Sequence, residues 1–162
     1  MSLSNFNFLE KEFPILYNIG LAAESYLNSD PVATLTKLRF FGEKLTEFVH
    51  LKHGFEFPRD NTFHASLKSL QFEGLLPDQI LDLLFSIKNS VKLAAHNQKG
   101  SAHDAERVLF SAFKVGKWFY STYSEENKDI TGLKFSLPKQ IKAKDALTDL
   151  EEEYKSLEAE TS

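Results

Sequence analysis

Lys88, Lys92 and His96 follow one another at i, i+4 steps, so a helix through them carries two ammonium groups and an imidazole along one side. Cations in that arrangement can hold a phosphate or a partner's carboxylate, and a histidine can move a proton near neutral pH. Arg39 and Glu43 stand one helical turn apart, and Glu24 lies on the preceding apolar-periodic stretch. Joined to Lys88 and His96, they would form a polar cluster for a phosphate or a partner's side chain. Arg39, Glu43, Lys88, Lys92 and His96 are therefore the expected binding residues. The competing reading is structural: a semi-buried ion network that sets helix register, with cations favoured near a helix C-terminus by its dipole.

Other constellations are weaker. Glu47, His50 and His53 recur every three residues and could begin a metal site in a bundle, but no second Glu-x-x-His completes it. They read as surface residues, and no metal is expected. Glu153, Tyr154 and Lys155 match the Glu-x-Lys of restriction-type nucleases, whose chemistry needs a strand; on a helix, i and i+2 diverge by roughly 200°. Lys88, Lys92, Lys99, Arg107, Lys114 and Lys117 could line one side of a two-helix unit and make weak contact with a nucleic-acid backbone. Nothing in the pattern supports sequence-specific reading.

The elements that must position these groups are helical. An apolar-periodic segment runs from about Phe6 to Leu27 and is interrupted by Pro14, with Phe8, Leu16, Ile19, Ala23 and Tyr26 on its inner face. Asp30 and Pro31 read as N-cap and first helical residue of a long helix that Gly54 stops, with Leu35, Leu38, Gly42, Leu45 and Val49 as its stripe. A shorter helix lies near Thr62 to Glu73, closed by Gly74, and Pro77 starts the next. That fourth helix has Ile80, Leu84, Ile87, Val91 and Ala94 as its stripe. Ser101 and Asp104 begin a last helix whose buried face is Ala105, Val108, Leu109, Ala112, Val115, Phe119 and Tyr123, bordered by Trp118. Residues 133–137 form a short extended piece against the body.

The expected fold is all-α, a bundle of about five helices spanning 4–123, an irregular connector over 124–143, and an acidic helix over 144–160. In that last helix Leu147, Leu150, Tyr154 and Leu157 make a coiled-coil-like seam of about two heptads, too short to stand alone and expected to lead to further domains.

Several of these segments resemble the opening of the R (restriction, motor) subunit of type I restriction-modification enzymes. SNFNFL at 4–9, SDPVATLTKLRFFGEKL at 29–45, the segment around His96, the Trp118 region and LKFSLP at 133–138 occur in the order of that family. The resemblance implies a helical N-terminal module, similar to HEPN helical domains, ahead of an ATP-dependent DNA translocase and nuclease. It implies a role in bacterial defence, as a docking or regulatory module that touches other domains or subunits of a restriction-modification complex. The segment itself is then not catalytic and needs no cofactor, while the parent polypeptide is a type I site-specific deoxyribonuclease. One departure bears on mechanism. Where the family runs roughly Ile-Arg-Lys-x-Gly-Asn-x-Ala-x-His, this chain has Lys88 for the arginine and Val91 and Lys92 for the Gly-Asn pair. Lysine lacks the planar fork that arginine offers to phosphate. A stand-alone HEPN-like ribonuclease, with His96 as general acid or base, and a free-standing adaptor are the alternatives. Against the first, Lys88 precedes His96 by about two helical turns, roughly 12 Å along the axis.

Composition narrows the classes. The 162 residues, 42% hydrophobic with 15 Phe, suffice for one substantial core. Zero cysteine excludes disulfides, thiolate nucleophiles and Cys-based zinc sites, and suits a cytoplasmic location. No apolar run approaches the roughly 20 residues of a membrane span, so no membrane partner is expected. The net charge of -4 sits in the tail: residues 124–162 hold 10 Asp and Glu against 6 Lys and Arg, while residues 1–123 hold 13 of each. A neutral body is not the strongly basic footprint of a dedicated nucleic-acid protein.

Overall fold

Pro31 follows Asp30, whose side chain accepts a hydrogen bond from the Ala33 N–H at 3.1 Å, so the central helix begins with its N-cap and its proline both in place. The computed structural model describes residues 4–56, 58–60, 62–97 and 102–138, with the backbone alone for 93–97. Five helices occur among them: α1 (Pro14–Tyr26), α2 (Pro31–Lys52), α3 (Phe63–Phe72), α4 (Asp78–Asn97) and α5 (Ala102–Tyr123), preceded by a 3-10 turn at Asn7–Leu9. The fold is an all-α bundle. The acidic segment 144–160 lies outside the described residues.

Helix ends follow the local chemistry. Pro14 sits in the first turn of α1, where its missing N–H costs nothing, and thereby separates α1 from the 3-10 turn. Gly54 and Gly74 close α2 and α3 with φ of 69° and 67°, the left-handed conformation that glycine adopts without a Cβ penalty. Across each, the next N–H reaches back to the helix: Phe55 to the His50 carbonyl at 3.0 Å, Leu75 to the Leu70 carbonyl at 3.1 Å.

α2 packs against α1, α3, α4 and α5. Its stripe of Leu35, Leu38, Gly42, Leu45 and Val49 is buried throughout, with Phe41 added. Around it lie Leu16, Ile19 and Ala23 of α1, Leu67 and Leu70 of α3, Leu84 and Ile87 of α4, and Ala105, Leu109, Ala112, Val115 and Phe119 of α5. Tyr123 is only half-buried at the end of that face. Tyr26 departs from expectation: it is 41% exposed, and Leu27 is buried instead. Residues 26 and 27 flank the stripe of Leu16, Ile19 and Ala23 about equally, each roughly 50° from its centre, so helix phase alone does not choose between them.

Two glycines set the closest approaches. A Cβ on Gly20 would stand 2.5 Å and 2.6 Å from ring atoms of Phe6, so the fully buried Phe6 lies flat on α1 only because that position is bare. Phe6 in turn packs against Phe41 of α2 with ring centroids 5.2 Å apart. Gly42 plays the same part for Phe63, whose Cζ would be 2.8 Å from an added Cβ.

Residues 124–138 run back over the body without a strand and are fastened at several points. The Glu12 carboxylate accepts from the Ser124 hydroxyl and from the Glu125 N–H at 2.7 Å. Ile130 is buried, and Lys117 donates to the Leu133 carbonyl at 2.9 Å. Phe135 packs on Phe110 and Phe113, and Asn5 and Ser136 exchange two hydrogen bonds of 2.8 Å and 2.9 Å. The piece at 133–137 thus covers α5 by side-chain packing and main-chain bonds to single residues. Among the described residues no helix is long and apolar enough to cross a membrane.

Gly20→Ala should be destabilising, because about 1 kcal/mol of helix propensity gained is outweighed by an overpacking cost near the upper end of about 1–3 kcal/mol. A fall in Tm of roughly 4–8 °C is expected for a domain of this size. In a Phe6→Leu background the same change should be close to neutral, and equal effects in both backgrounds, measured by thermal unfolding, would show that the ring is not the obstacle.

The Ser124 hydrogen bond, joined by backbone N–H groups, holds the Glu12 carboxyl below its ordinary value of 4.5. A depressed folded value means that the stabilisation is present above pH 4.5 and disappears as the pH falls through the folded value. Glu12→Gln should therefore lower the unfolding free energy measured by urea titration at neutral pH, by no more than about 1 kcal/mol because solvent screens the site. The gap from the parent should close in acid, and a gap of constant size down to low pH would exclude a contribution from the ionised carboxylate.

Candidate functional site

α4 carries Lys88 and Lys92 in an unbroken helix from Asp78 to Asn97. Lys92 is exposed, whereas Lys88 is half-buried and turned toward α3. Its ammonium lies 3.4 Å from His64 Nδ1 and 5.7 Å from the centroid of Phe85. An ammonium can only donate, so Nδ1 accepts and the imidazole proton sits on Nε2, free to donate outward. Lys68, one turn beyond His64 on α3, lies 5.7 Å from the same Phe85 ring. Two cations thus share one aromatic ring, an arrangement that holds their heads in place by cation–π attraction. The backbone of His96 is in the last turn of α4; its side chain and Lys99 lie outside the described residues. The continuity of α4 keeps Lys88 and His96 roughly 12 Å apart along the axis.

The groups expected to converge stand in three separate arrangements. On α2, Arg39 Nε and Glu43 form an i, i+4 pair at 3.3 Å, with each side chain 40% exposed. Such a pair contributes about 0.3–0.5 kcal/mol and is committed to itself. Glu24 faces the N-terminal segment, where it accepts from the Ser4 hydroxyl and from Asn5 through the backbone N–H at 3.1 Å and Nδ2 at 2.8 Å. Lys88 belongs to the α3–α4 seam. A cavity of about 310 Å³ opens between α2 and the start of α3, lined by Glu43, Glu47, Thr46, Thr62 and Ser66 among others. Its two carboxylates are already matched, Glu43 by Arg39 and Glu47 by Lys44 at 3.1 Å.

His50 corrects the surface reading of the Glu47, His50 and His53 series, because it is fully buried. Nδ1 donates to the Thr46 carbonyl at 2.8 Å and Nε2 stands 3.4 Å from Ser69 Oγ, tying α2 to α3. His53 pairs with the Tyr123 hydroxyl at 2.9 Å, and burial pushes that phenol above its ordinary value. The three side chains serve different neighbours, and among the described residues no group of His, Asp and Glu could hold a metal ion.

The cations of α5 are occupied differently. Arg107 pairs with Asp104 at 3.3 Å, Lys114 lies 4.2 Å over Phe110, and Lys117 holds the Leu133 carbonyl while lying 5.5 Å from Phe113. Among the described residues the α3–α4 seam gathers cations from two helices around one ring. His64 and Lys68 were not among the expected site residues, although their i, i+4 spacing on a short helix was available to find them.

No family model matches the chain, and no solved structure matches it. Among curated proteins, it is 29% identical over 126 residues to the type I restriction enzyme EcoKI endonuclease subunit of Escherichia coli (strain K12). The matched stretch is 78% of this chain but 11% of that subunit. Over most of its length the chain is thus a partial homologue of one segment of a type I restriction endonuclease subunit.

Proposed function

We propose that this chain is the N-terminal helical module of a type I restriction enzyme R subunit, serving to dock or regulate neighbouring parts of the complex rather than to cleave DNA. The observation that carries the reading is the 29% identity spread over 78% of the chain. The side-chain inventory agrees with a contact role: Arg39, Glu43, Lys88 and Lys92 are paired with one another, with histidine and aromatic neighbours, or with solvent. ATP-driven translocation and cleavage would belong to the rest of the parent polypeptide, and this segment needs no cofactor of its own. The neighbours it touches would be other domains or subunits of the complex, with His96 as a further contact residue at the end of α4.

In the natural polypeptide, replacing Lys88 and Lys92 by Glu should weaken association with the remaining subunits about tenfold, or roughly 1.4 kcal/mol, and leave Tm within about 2 °C. Sedimentation of the assembled complex alongside thermal unfolding reads both quantities. Unchanged association would remove the docking role from these lysines. A natural polypeptide without a nuclease Glu-x-Lys strand and a P-loop would remove the restriction reading as a whole.

A further inference from the structure

Among the described residues no carboxylate pairs with Lys68, Lys88 or Lys92, which stand on two facing helices. Arg39 and Lys44 of α2 are both neutralised by glutamates on their own helix. Asp82, six positions before Lys88, makes no ion pair with these lysines. Three lysines and His64 thus gather where α3 faces α4, on a body whose acidic and basic totals balance.

The geometry gives that face a direction. His64 sits opposite Lys88, and Lys68 opposite Phe85, so α3 and α4 run antiparallel there. Lys92 extends the line one turn along α4, giving cationic and donor groups over roughly 10 Å. In the other direction along α3, the stripe His64, Lys68 continues one more turn to Phe72. Phe72 is 88% exposed, the most exposed large hydrophobic side chain of the described residues. An aromatic left in water at the end of a row of unpaired cations is the combination that single-stranded nucleic acid uses, with phosphates along the cations and a base stacked on the ring. A bilayer would favour several apolar side chains at one level, whereas here a single ring stands in line with the charges.

We propose that the α3–α4 face formed by His64, Lys68, Lys88 and Lys92, with Phe72 at its end, binds single-stranded nucleic acid without sequence preference. The phosphates lie along the lysines and the His64 Nε2–H, and a base stacks on Phe72. Phe85 supports the site from beneath by fixing the Lys68 and Lys88 heads. This assignment adds a partner class to the module and rests on the geometry of α3 and α4, not on the restriction-enzyme reading.

The test is fluorescence anisotropy of a labelled oligothymidylate of about 20 nucleotides with the 162-residue chain, first at about 50 mM salt and then at about 200 mM. Binding that weakens steeply with salt is expected. Phe72→Ala, a change at an exposed position that the fold tolerates, should reduce affinity for the single strand about tenfold and leave affinity for a duplex nearly unchanged. Lys68→Glu with Lys88→Glu should abolish binding of both, whereas Lys114→Glu on α5 should change neither. The proposal is overturned by absence of binding at the lower salt, by equal losses in the Lys114 variant, by insensitivity to Phe72→Ala, or by binding to anionic vesicles in preference to the oligonucleotide. Because Lys68 and Phe72 lie outside the residues assigned to subunit docking, loss of nucleic-acid binding with intact subunit association would leave the docking reading standing.

Discussion

α2 must satisfy its own polar groups, because it has a neighbour along nearly every side. Packed against the other four helices, it buries Thr34, Thr46 and His50 along with its apolar stripe. A buried hydroxyl or imidazole without a partner costs about 1–3 kcal/mol, comparable to the loss of a core methylene or two. Thr34 donates to the Ala23 carbonyl at 2.7 Å, satisfying an acceptor in the last turn of α1, and Thr46 donates back to Glu43 at 2.8 Å. His50 donates to Thr46 and reaches Ser69 on α3. Among the described residues every buried side-chain polar atom has a partner. The central helix is thereby fixed to α1 and α3 by bonds as well as by packing, and its position governs where α4 and α5 can settle.

The N-terminal segment adds a second constraint. Phe6 fills the space over Gly20 and Phe41, while Glu24 binds Ser4 and Asn5 from α1. Asn5 and Glu12 then hold the two ends of residues 124–138. Residues far apart in the chain are thus clamped along one edge, and the glutamates act as hydrogen-bond acceptors for backbone and hydroxyl groups rather than as partners of the α2 arginine. This explains why Glu24 is absent from the polar cluster that its sequence position suggests. An acceptor already holding three donors has little to gain from a cation on another helix.

Much of the fold was legible because its signals are local. The Asp30–Pro31 start, the glycines at 54 and 74 and the stripes of α2 and α5 depend on residues within one or two turns of each other, and the chain obeys them. What escaped depends on neighbours. His50 looks like a surface histidine in an i, i+3 series until α3 closes over it with Ser69. Tyr26 and Leu27 flank the α1 stripe about equally, and Leu27 is the one buried in the packed bundle. Of the candidate site, the Lys88–Lys92 pair and the Arg39–Glu43 pair were readable from spacing, but their separation was not. His64 and Lys68 stand at i, i+4 on a short helix, but that they meet Lys88 and Phe85 of α4 is set by the packing of α3 on α4 and not by spacing.

The same distinction governs charge. Acid and base placed three or four residues apart on one helix neutralise each other wherever the helix goes, so the Arg39–Glu43 and Lys44–Glu47 pairs of α2 are nearly silent to a charged partner beyond a Debye length of about 10 Å. Charges that meet only across helices are set by the fold, and there the chain brings cations together without acids. A body with equal numbers of acidic and basic residues can therefore still present one attractive face to a polyanion, because neutrality is reached elsewhere by short-range pairing. The potential felt by a ligand depends on which charges remain unpaired, and Lys68, Lys88 and Lys92 along the α3–α4 seam are among those without a carboxylate partner.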